Sequence, residues 1–249
     1  MFFRHSNAKS KPIQSKQALI LPNQQVIPYQ LERRTRRTVG LKVTQAGLVV
    51  HVPLRLALSD IEFILQTKQA WIIEKLATQQ QNQPPAVIWQ TGQKLCLLGN
   101  EVVLIVNQSV ANKAVYLLDN TLIASQPNPA DATLIARKTI LWYKKQALSD
   151  FARRLEVYSV KLNIPTPKLL LSNAKSRWGS CNARGEIRLN WRLIQAPPAI
   201  INYVVCHELA HLKEMNHSAK FWAIVEKLVP HYKQVEKDLK KLSPALHRI

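Results

Sequence analysis

The sequence has few cysteines, few glycines and no long apolar run, and each shortage excludes a class of protein. The cysteines Cys96, Cys181 and Cys206 are too few and too widely spaced for a disulfide framework, which favours a reducing compartment. Six glycines in 249 residues exclude a collagen-like chain. The longest apolar runs, such as residues 102–106, fall far short of the ~18 residues of a membrane-spanning helix. No apolar stretch follows the basic residues of segment 1–16, so we predict a cytoplasmic protein without a signal peptide.

Acidic residues are also scarce, and the resulting positive charge is unevenly distributed. The chain has 35 Lys and Arg against 15 Asp and Glu, which gives a net charge of +20 and a pI near 10.2. Residues 1–50 carry nine basic residues and one acidic residue, residues 131–192 carry thirteen and four, and residues 51–130 are neutral. A charge of this size favours polyanionic partners such as nucleic acid, nucleotides or an anionic membrane face, but it does not identify a fold.

The pattern of apolar residues predicts an α+β protein in three segments. Residues 1–24 are expected to form a flexible basic leader, residues 25–126 a small α+β unit with antiparallel strands, and residues 127–249 a C-terminal domain that carries the chemistry. Ser59 and Glu62 form a capping-box pattern that opens a helix to about residue 80, and Gly99-Asn100 is a predicted hairpin turn. The predicted strands of the middle segment are 38–43, 48–52, 94–98, 101–106, 115–118 and 122–125. No internal repeat is recognised.

The C-terminal segment alternates long helical and short extended patterns. A helix is predicted from about residue 131 to 162, and its recurring basic pairs are interpreted as a solvated face. Strands are predicted at 168–172, 176–181 and 186–193, the last two joined as a hairpin. Pro197-Pro198 then opens a helix that runs to about Lys213, because proline is tolerated in the first turn.

That last helix contains the sequence His207-Glu208-Leu209-Ala210-His211. Residues four apart lie on the same face of a helix, so the two histidines can bind one metal ion together. His217 follows after five residues and is the favoured third ligand, with Glu226 and Glu236 as alternatives. Three imidazoles and an open fourth position are typical of catalytic zinc, whereas a structural site uses four protein ligands.

Two cysteines near the motif are alternatives for a fourth ligand. Cys206 adjoins His207 and points ~100° away around the helix, so it is interpreted as a small buried residue. Cys181 lies in the preceding hairpin, and its participation stays open.

Glu208 is the predicted catalytic residue. Zinc lowers the pKa of a bound water towards ~7, and Glu208 can take the proton and deliver it to the leaving group, which is the chemistry of a hydrolase. Arg177, His231 and Tyr232 are candidates for stabilising the negative charge of a tetrahedral intermediate. The predicted substrate-binding residues are Arg177, Trp178 and Asn190.

Several stretches of the C-terminal segment resemble the YgjP-like metallopeptidase family, which is related to the SprT-like and WLM zinc proteases. They are residues 176–181 (SRWGSC), 187–193 (IRLNWRL) and 206–212 (CHELAHL), followed by Asn216-His217-Ser218 and Phe221-Trp222. The resemblance implies a zincin-like catalytic domain in which His207, His211 and His217 bind Zn²⁺ and Glu208 is the general base. It also implies that the hairpin 177–193 forms a sheet edge where an extended peptide adds as a strand.

Three functions remain open from the sequence. The favoured one is a zinc-dependent metallopeptidase that hydrolyses peptide bonds, and the +20 charge adds proteins bound to nucleic acid as a substrate class. The alternative is a metal-dependent pyrophosphohydrolase of UTP-like nucleoside triphosphates, an activity described for a YgjP-like protein. The third is a non-catalytic nucleic-acid-binding module with a structural zinc. The expected partners are a protein or peptide substrate and nucleic acid or a nucleotide. Trp178, Trp191 and Trp222 are interpreted as core residues, with base stacking as the alternative.

Overall fold

The structure is a computed structural model that describes residues 13–44, 47–81, 85–110 and 114–249. The chain forms two units, Met1–Gln83 and Pro84–Ile249. The sequence instead places a boundary between residues 126 and 127. The difference arises because the strands between residues 94 and 126 belong to the second unit, where the amides of Leu98 and Gly99 donate to the carbonyls of Ile194 and Gln195 at 2.8 and 3.0 Å. Because these hydrogen bonds join residues that are far apart in the sequence, no local sequence pattern predicts them.

The first unit contains a four-stranded mixed sheet. Its strands are β1 (Ile13–Ile20), β2 (Val26–Arg34), β3 (Gly40–Thr44) and β4 (Gly47–Pro53), in the order β1-β2-β4-β3. β3 and β4 form an antiparallel pair, as predicted for segments 38–43 and 48–52, whereas β2 and β4 run parallel, a pairing that the sequence does not predict. β1 lies within the predicted leader 1–24, of which residues 1–12 are outside the described residues. It was not predicted because Leu19 is its one buried residue, so the strand depends on pairing with β2 and lacks an apolar pattern.

Two helices, α1 (Leu58–Thr67) and α2 (Gln69–Gln81), cover one face of this sheet. The sequence predicts one continuous helix with a Ser59 capping box, and both details are wrong. The N-cap is Ala57, which makes no side-chain cap hydrogen bond, and Lys68 separates the helices with φ of −100°. The helices bury most of the predicted apolar face, but Trp71, which the same pattern places on that face, is 38% exposed. Their fully buried residues are Ile61, Leu65 and Ile72.

The second unit begins with a sheet of the same topology. Its strands are β5 (Lys94–Leu97), β6 (Asn100–Gln108), β7 (Tyr116–Leu118) and β8 (Thr121–Gln126), in the order β5-β6-β8-β7, with β6 and β8 parallel. The two sheets thus repeat one topology, but the sequence shows no repeat. Backbone hydrogen bonds define the strand order, and they do not require particular side chains. The hairpin turn is Leu98-Gly99, where both residues have positive φ, one residue before the predicted Gly99-Asn100.

A 31-residue helix, α3 (Ala132–Leu162), follows where the sequence predicts it. Asp131 caps the helix by accepting a backbone hydrogen bond at 2.9 Å, and Asn163 ends it in the left-handed conformation with φ of 52°. One of its basic residues departs from the predicted solvated face. Arg154 is 7% exposed and donates a hydrogen bond to Asn202 of the motif helix. α3 is therefore tied directly to the helix that carries the metal motif.

The remaining elements surround that motif helix. A three-stranded sheet comprises β9 (Leu169–Ser172), β10 (Gly179–Cys181) and β11 (Ile187–Asn190) in the order β10-β11-β9, which leaves β10 at an edge. A 3₁₀ turn at Trp191–Gln195 replaces the end of the predicted strand 186–193. The helices are α4 (Pro198–Ala210), α5 (Ala219–Leu228) and α6 (Tyr232–Leu246). α4 is largely buried because α3, α5, α6 and β10 all contact it.

These elements confirm the predicted α+β fold class, with a motif helix packed beside a long helix and a hairpin. Within the described ranges, every helix is too short or too polar to cross a membrane.

Candidate metal centre

Three histidine side chains converge at the C-terminal end of α4. The candidate ligand atoms of His207, His211 and His217 all lie within 4.8 Å of one another, and the Nε2 atoms of His207 and His217 are 3.2 Å apart. His207 and His211 are one helical turn apart, so α4 presents both rings on one face. This is the set of ligands that the sequence motif predicts.

The chain between the second and third histidines reverses direction in a short turn. α4 ends at Ala210, three residues before the predicted Lys213, and backbone bonds from Leu212 and Lys213 back to Leu209 and Ala210 tighten its last turn. The Asn216 side chain then accepts a hydrogen bond from the Ser218 amide at 3.0 Å. Ser218 in turn caps α5 by accepting from the Phe221 amide. The start of α5 thus fixes the position of His217.

The environment keeps the first two histidines in the neutral form that a metal requires. Burial, with smaller effects from the neighbouring imidazoles of His211 and His217, lowers the pKa of His207 to about 4. Burial also lowers the pKa of His211. His211 Nδ1 lies 3.3 Å from the Glu214 carbonyl oxygen. When Nδ1 donates a hydrogen bond to this oxygen, Nε2 carries the lone pair that can bind a metal ion. Three imidazole groups at this separation fit a divalent transition metal ion.

Glu208 lies beside the triad in a confined position against β10. Its side chain is 5% exposed, and a Cβ atom at Gly179 would be 2.3 Å from its Oε1 atom. Burial raises the pKa of Glu208 to about 8, and the positive charge of Arg177 opposes this rise only in part. A carboxyl group with this pKa can both accept and release a proton near neutral pH.

A cleft of about 290 Å³ opens beside Glu208 and His207. The sequence did not indicate Tyr203 or Lys240 as residues of the site, and it indicated Glu236 only as an alternative metal ligand. Tyr203 lies one turn before His207 on α4, a spacing that could have indicated it, whereas α6 supplies the other two residues. Glu236 and Lys240 form an ion pair at 2.7 Å. The cleft is lined by Arg177, Trp178, Gly179, Tyr203, Val204, His207, Glu208, Glu236, Leu239, Lys240 and Ser243.

Two of the three predicted substrate-binding residues line this cleft. Arg177 is exposed there, and Trp178 is half-buried, donates from Nε1 to Ser243 Oγ at 2.9 Å and stacks on His247. Asn190 departs from the prediction, because its side chain is fully buried behind the cleft. Its amide group donates to the Ala174 carbonyl oxygen at 2.7 Å, so Asn190 supports the loop that carries the other two residues.

Arg177 and Glu236 line the cleft, and the other alternative ligand and charge-stabilising candidates lie elsewhere in the second unit. Glu226 and His231 line a separate shallow cavity at the junction of α5 and α6. Tyr232 is buried, and its ring stacks on Trp222, which itself stacks on His217 at 5.7 Å between ring centroids. Trp222 therefore supports a histidine of the triad.

Aromatic and sulfur-containing side chains complete the surroundings of α4. Trp191 is 1% exposed, in agreement with its predicted place in the core. Cys206 is fully buried, as predicted, and burial raises the pKa of its thiol to about 12. Burial, with the negative charge of Glu208 as a second cause, raises the pKa of Cys181. In the part of the chain that the structure describes, the group able to hold a metal consists of the three histidines and includes neither thiol.

Comparison with known proteins relates this site to metallopeptidases. A family model described as YgjP-like, metallopeptidase domain, matches residues 37–242. The UTP pyrophosphatase of Escherichia coli (strain K12) is 35% identical over 106 residues, which cover 39% of this chain and 64% of that protein. The match thus spans somewhat less than two thirds of that relative.

Two solved structures are also similar to part of the chain. The metallopeptidase zymogens Pyrococcus abyssi abylysin and Methanocaldococcus jannaschii jannalysin are 28% and 22% identical to it, with TM-scores of 0.35 and 0.34. Each match covers 37% of this chain, and the matches cover 94% and 96% of the two zymogen chains.

Proposed function

Since the chain belongs to the YgjP-like metallopeptidase domain family, we propose that it is a zinc-dependent peptidase with His207, His211 and His217 as the zinc ligands. The observation that carries this proposal is the convergence of three imidazoles beside a buried glutamate. Nitrogen donors in this number, with no carboxylate among them, favour zinc over Mg²⁺ or Ca²⁺. Bound zinc would supply Lewis acidity towards the scissile carbonyl group.

Glu208 is proposed as the general base. Its carboxylate would take a proton from the attacking water and then deliver the proton to the leaving amine. The position of the carboxyl group supports this role, because Glu208 is 5% exposed and lines the same cleft as His207. Gly179 allows the strand to pass directly against the carboxylate, and the confinement keeps Glu208 in place.

The substrate is proposed to bind along β10. This strand pairs with β11 on one side only, so its other edge can add an extended peptide beside the cleft. Arg177 precedes β10 and lines the cleft that Glu208 also lines. Its guanidinium group is therefore proposed to stabilise the negative charge that develops on the carbonyl oxygen.

A nucleotide pyrophosphohydrolase is the second candidate. The relative from Escherichia coli is named UTP pyrophosphatase, and the cleft of this chain contains the two cations Arg177 and Lys240, which suit phosphate groups. A metal ion in the same triad would serve either reaction.

An activity screen distinguishes the two candidates. The zinc-loaded protein is expected to cleave an unstructured protein such as casein and to release no pyrophosphate from UTP, CTP, ATP or GTP. Glu208→Gln is expected to lower cleavage by about 100-fold or more, since general acid–base catalysis contributes ~10²–10⁴. Glu214→Gln is the matched control, because Glu214 faces His211 with its backbone carbonyl oxygen. Pyrophosphate release that disappears in Glu208→Gln, without casein cleavage, would replace the peptidase by the second candidate.

A further inference from the structure

One face of the first unit's sheet is covered by α1 and α2, and the opposite face carries basic and polar side chains beside the apolar residues Ala18, Ile20, Val26, Pro28 and Val49. We call this second surface the basic sheet face. Its polar residues are Gln14, Lys16, Gln30, Glu32, Arg34, Lys42, Thr44 and His51, with Arg36 beside them.

Strand register places cations at both ends of a row that crosses the whole sheet. In this row, Lys16 of β1 pairs with Gln30 of β2. Gln30 pairs in turn with Val49 of β4, and Val49 pairs with Lys42 of β3. Adjacent strands are ~4.8 Å apart, so the backbones at the two lysines are separated by about 14 Å. Both lysines are exposed.

The next row brings a third cation to the same face. Glu32 is opposite His51, and His51 is opposite Gly40. The Arg36 guanidinium group lies over Gly40, where a Cβ atom would be 2.9 Å from Nη2. Glycine at position 40 thus allows Arg36 to fold onto the sheet.

The acidic residue of this face is already neutralised. Glu32 is the single acid among residues 1–50, is 7% exposed, and accepts hydrogen bonds from Arg34 at 3.0 and 2.5 Å. In the described ranges, no ion pair involves Lys16, Arg36 or Lys42. Burial lowers the pKa of His51, and the positive charge of Arg34 is the second cause. Arg36 and Lys42 also lower this pKa, whereas Glu32 opposes the shift. The surface therefore has a positive potential.

We propose that the basic sheet face binds the phosphate backbone of a nucleic acid duplex. Phosphate contacts from Lys and Arg supply affinity without reading sequence. Binding of single strands relies on aromatic stacking, and the described strand residues of this face include no Phe, Tyr or Trp. The face lies within Met1–Gln83 and the histidine triad within Pro84–Ile249, so this proposal does not depend on the proposed peptidase activity.

The test measures how duplex binding depends on salt. A fluorescent DNA duplex of about 20 bp is titrated with the full chain between about 50 and 200 mM salt. For Lys16→Ala/Lys42→Ala, the slope of log K against log[salt] is expected to fall in magnitude by about 2, because each phosphate contact contributes ~0.9. At about 100 mM salt the affinity is expected to fall tenfold or more.

The matched control removes the same charge from the helical layer of the same unit. Lys68→Ala/Lys75→Ala, at residues between and within α1 and α2, is expected to retain the parental slope. Glu208→Gln is expected to bind the duplex like the parent, which separates this result from the proposed catalysis. Equal losses in the two double variants, or tighter binding of a single strand of the same length, would overturn the proposal. So would binding to phosphatidylserine vesicles that depends on Lys16 and Lys42 when duplex binding does not.

Discussion

The side chain of Glu208 ends in a confined space between α4 and β10, and its chemistry follows from that position. The backbone of Gly179 packs against its carboxylate, and burial outweighs the effect of Arg177 on its pKa. In the metal-free protein the carboxyl group therefore stays protonated at pH values where an exposed glutamate is ionised. Its burial has consequences for both stability and activity.

The first prediction concerns the stability of the metal-free protein. Between pH 4.5 and 8 the unfolded chain has released the Glu208 proton while the folded chain retains it, so this group destabilises the fold increasingly as pH rises through that window. The free energy of unfolding of Glu208→Gln minus that of the parent is expected to rise by up to about 4 kcal/mol from pH 5 to pH 8, at ~1.4 kcal/mol per pKa unit. Urea denaturation at a series of pH values measures this difference. A difference that is constant with pH would contradict the account.

The second prediction concerns the glycine that accommodates the glutamate. Gly179→Ala places a methyl group 2.3 Å from the present position of Glu208 Oε1, so the carboxylate must move. Zinc content is expected to be retained, whereas kcat/KM for peptide cleavage is expected to fall about 100-fold. Ser180→Ala, at the adjacent position of β10, is the control and should stay close to the parent. Parental activity of Gly179→Ala would show that the position of the carboxylate is not critical.

At the scale of elements, the limits of α3 are set by residues whose local chemistry ends or begins a helix. Asp131 accepts a hydrogen bond from the Leu134 amide at 2.9 Å, and Asn163 takes the left-handed conformation at the other end. Because α3 packs against α4, loss of an end contact affects the element that carries two of the histidines.

The third prediction tests this cap. Asp131→Ala is expected to lower the free energy of unfolding of the second unit by about 1 kcal/mol, the usual cost of losing an N-cap side chain. Ser149→Ala, at an exposed position in the middle of α3, is the control and should be neutral or slightly stabilising. Denaturant unfolding followed by the tryptophan fluorescence of the second unit measures both variants. Equal stability of the two variants would contradict the assigned cap.

The same elements show what the sequence can and cannot predict. α3 and the histidine triad depend on residues that are close in sequence: α3 lies where it was predicted, and the three histidines converge, while their role as metal ligands stays a prediction. The parallel pairing of β2 with β4, the break at Lys68 and the place of Glu236 in the cleft depend on contacts between distant segments, for which no local residue gives a signal. Asn190 was misjudged because a buried amide that supports a loop has the same sequence pattern as an exposed one that binds a substrate.

At the scale of the whole molecule, the basic sheet face and the histidine triad lie in different units. The histidine triad belongs to Pro84–Ile249, and the basic sheet face belongs to Met1–Gln83. The family match over residues 37–242 confirms the resemblance seen in the motifs and includes part of both units. The net charge of +20 is divided between the two units, with +8 in residues 1–83 and +12 in residues 84–249, so it does not identify the reaction.

The fourth prediction is that zinc stabilises one unit selectively. A ligand that binds the folded state at 1,000 times its Kd contributes about 4 kcal/mol, so chelation of zinc is expected to lower the melting temperature of the second unit and leave the first unchanged. His217→Ala should lose this dependence. His231→Asn, which keeps a residue that tolerates the positive φ of 69°, should retain it. Calorimetry with and without a chelator measures the effect, and equal zinc dependence in both variants would contradict the ligand assignment.

The central claim, that the triad holds zinc beside Glu208 as the general base, is tested most directly by elemental analysis and peptide cleavage measured on the same preparations. The parent and Glu208→Gln are both expected to contain about one zinc ion per chain, and only the parent is expected to cleave the peptide. Cleavage by Glu208→Gln at the parental rate, with zinc bound, would contradict the account.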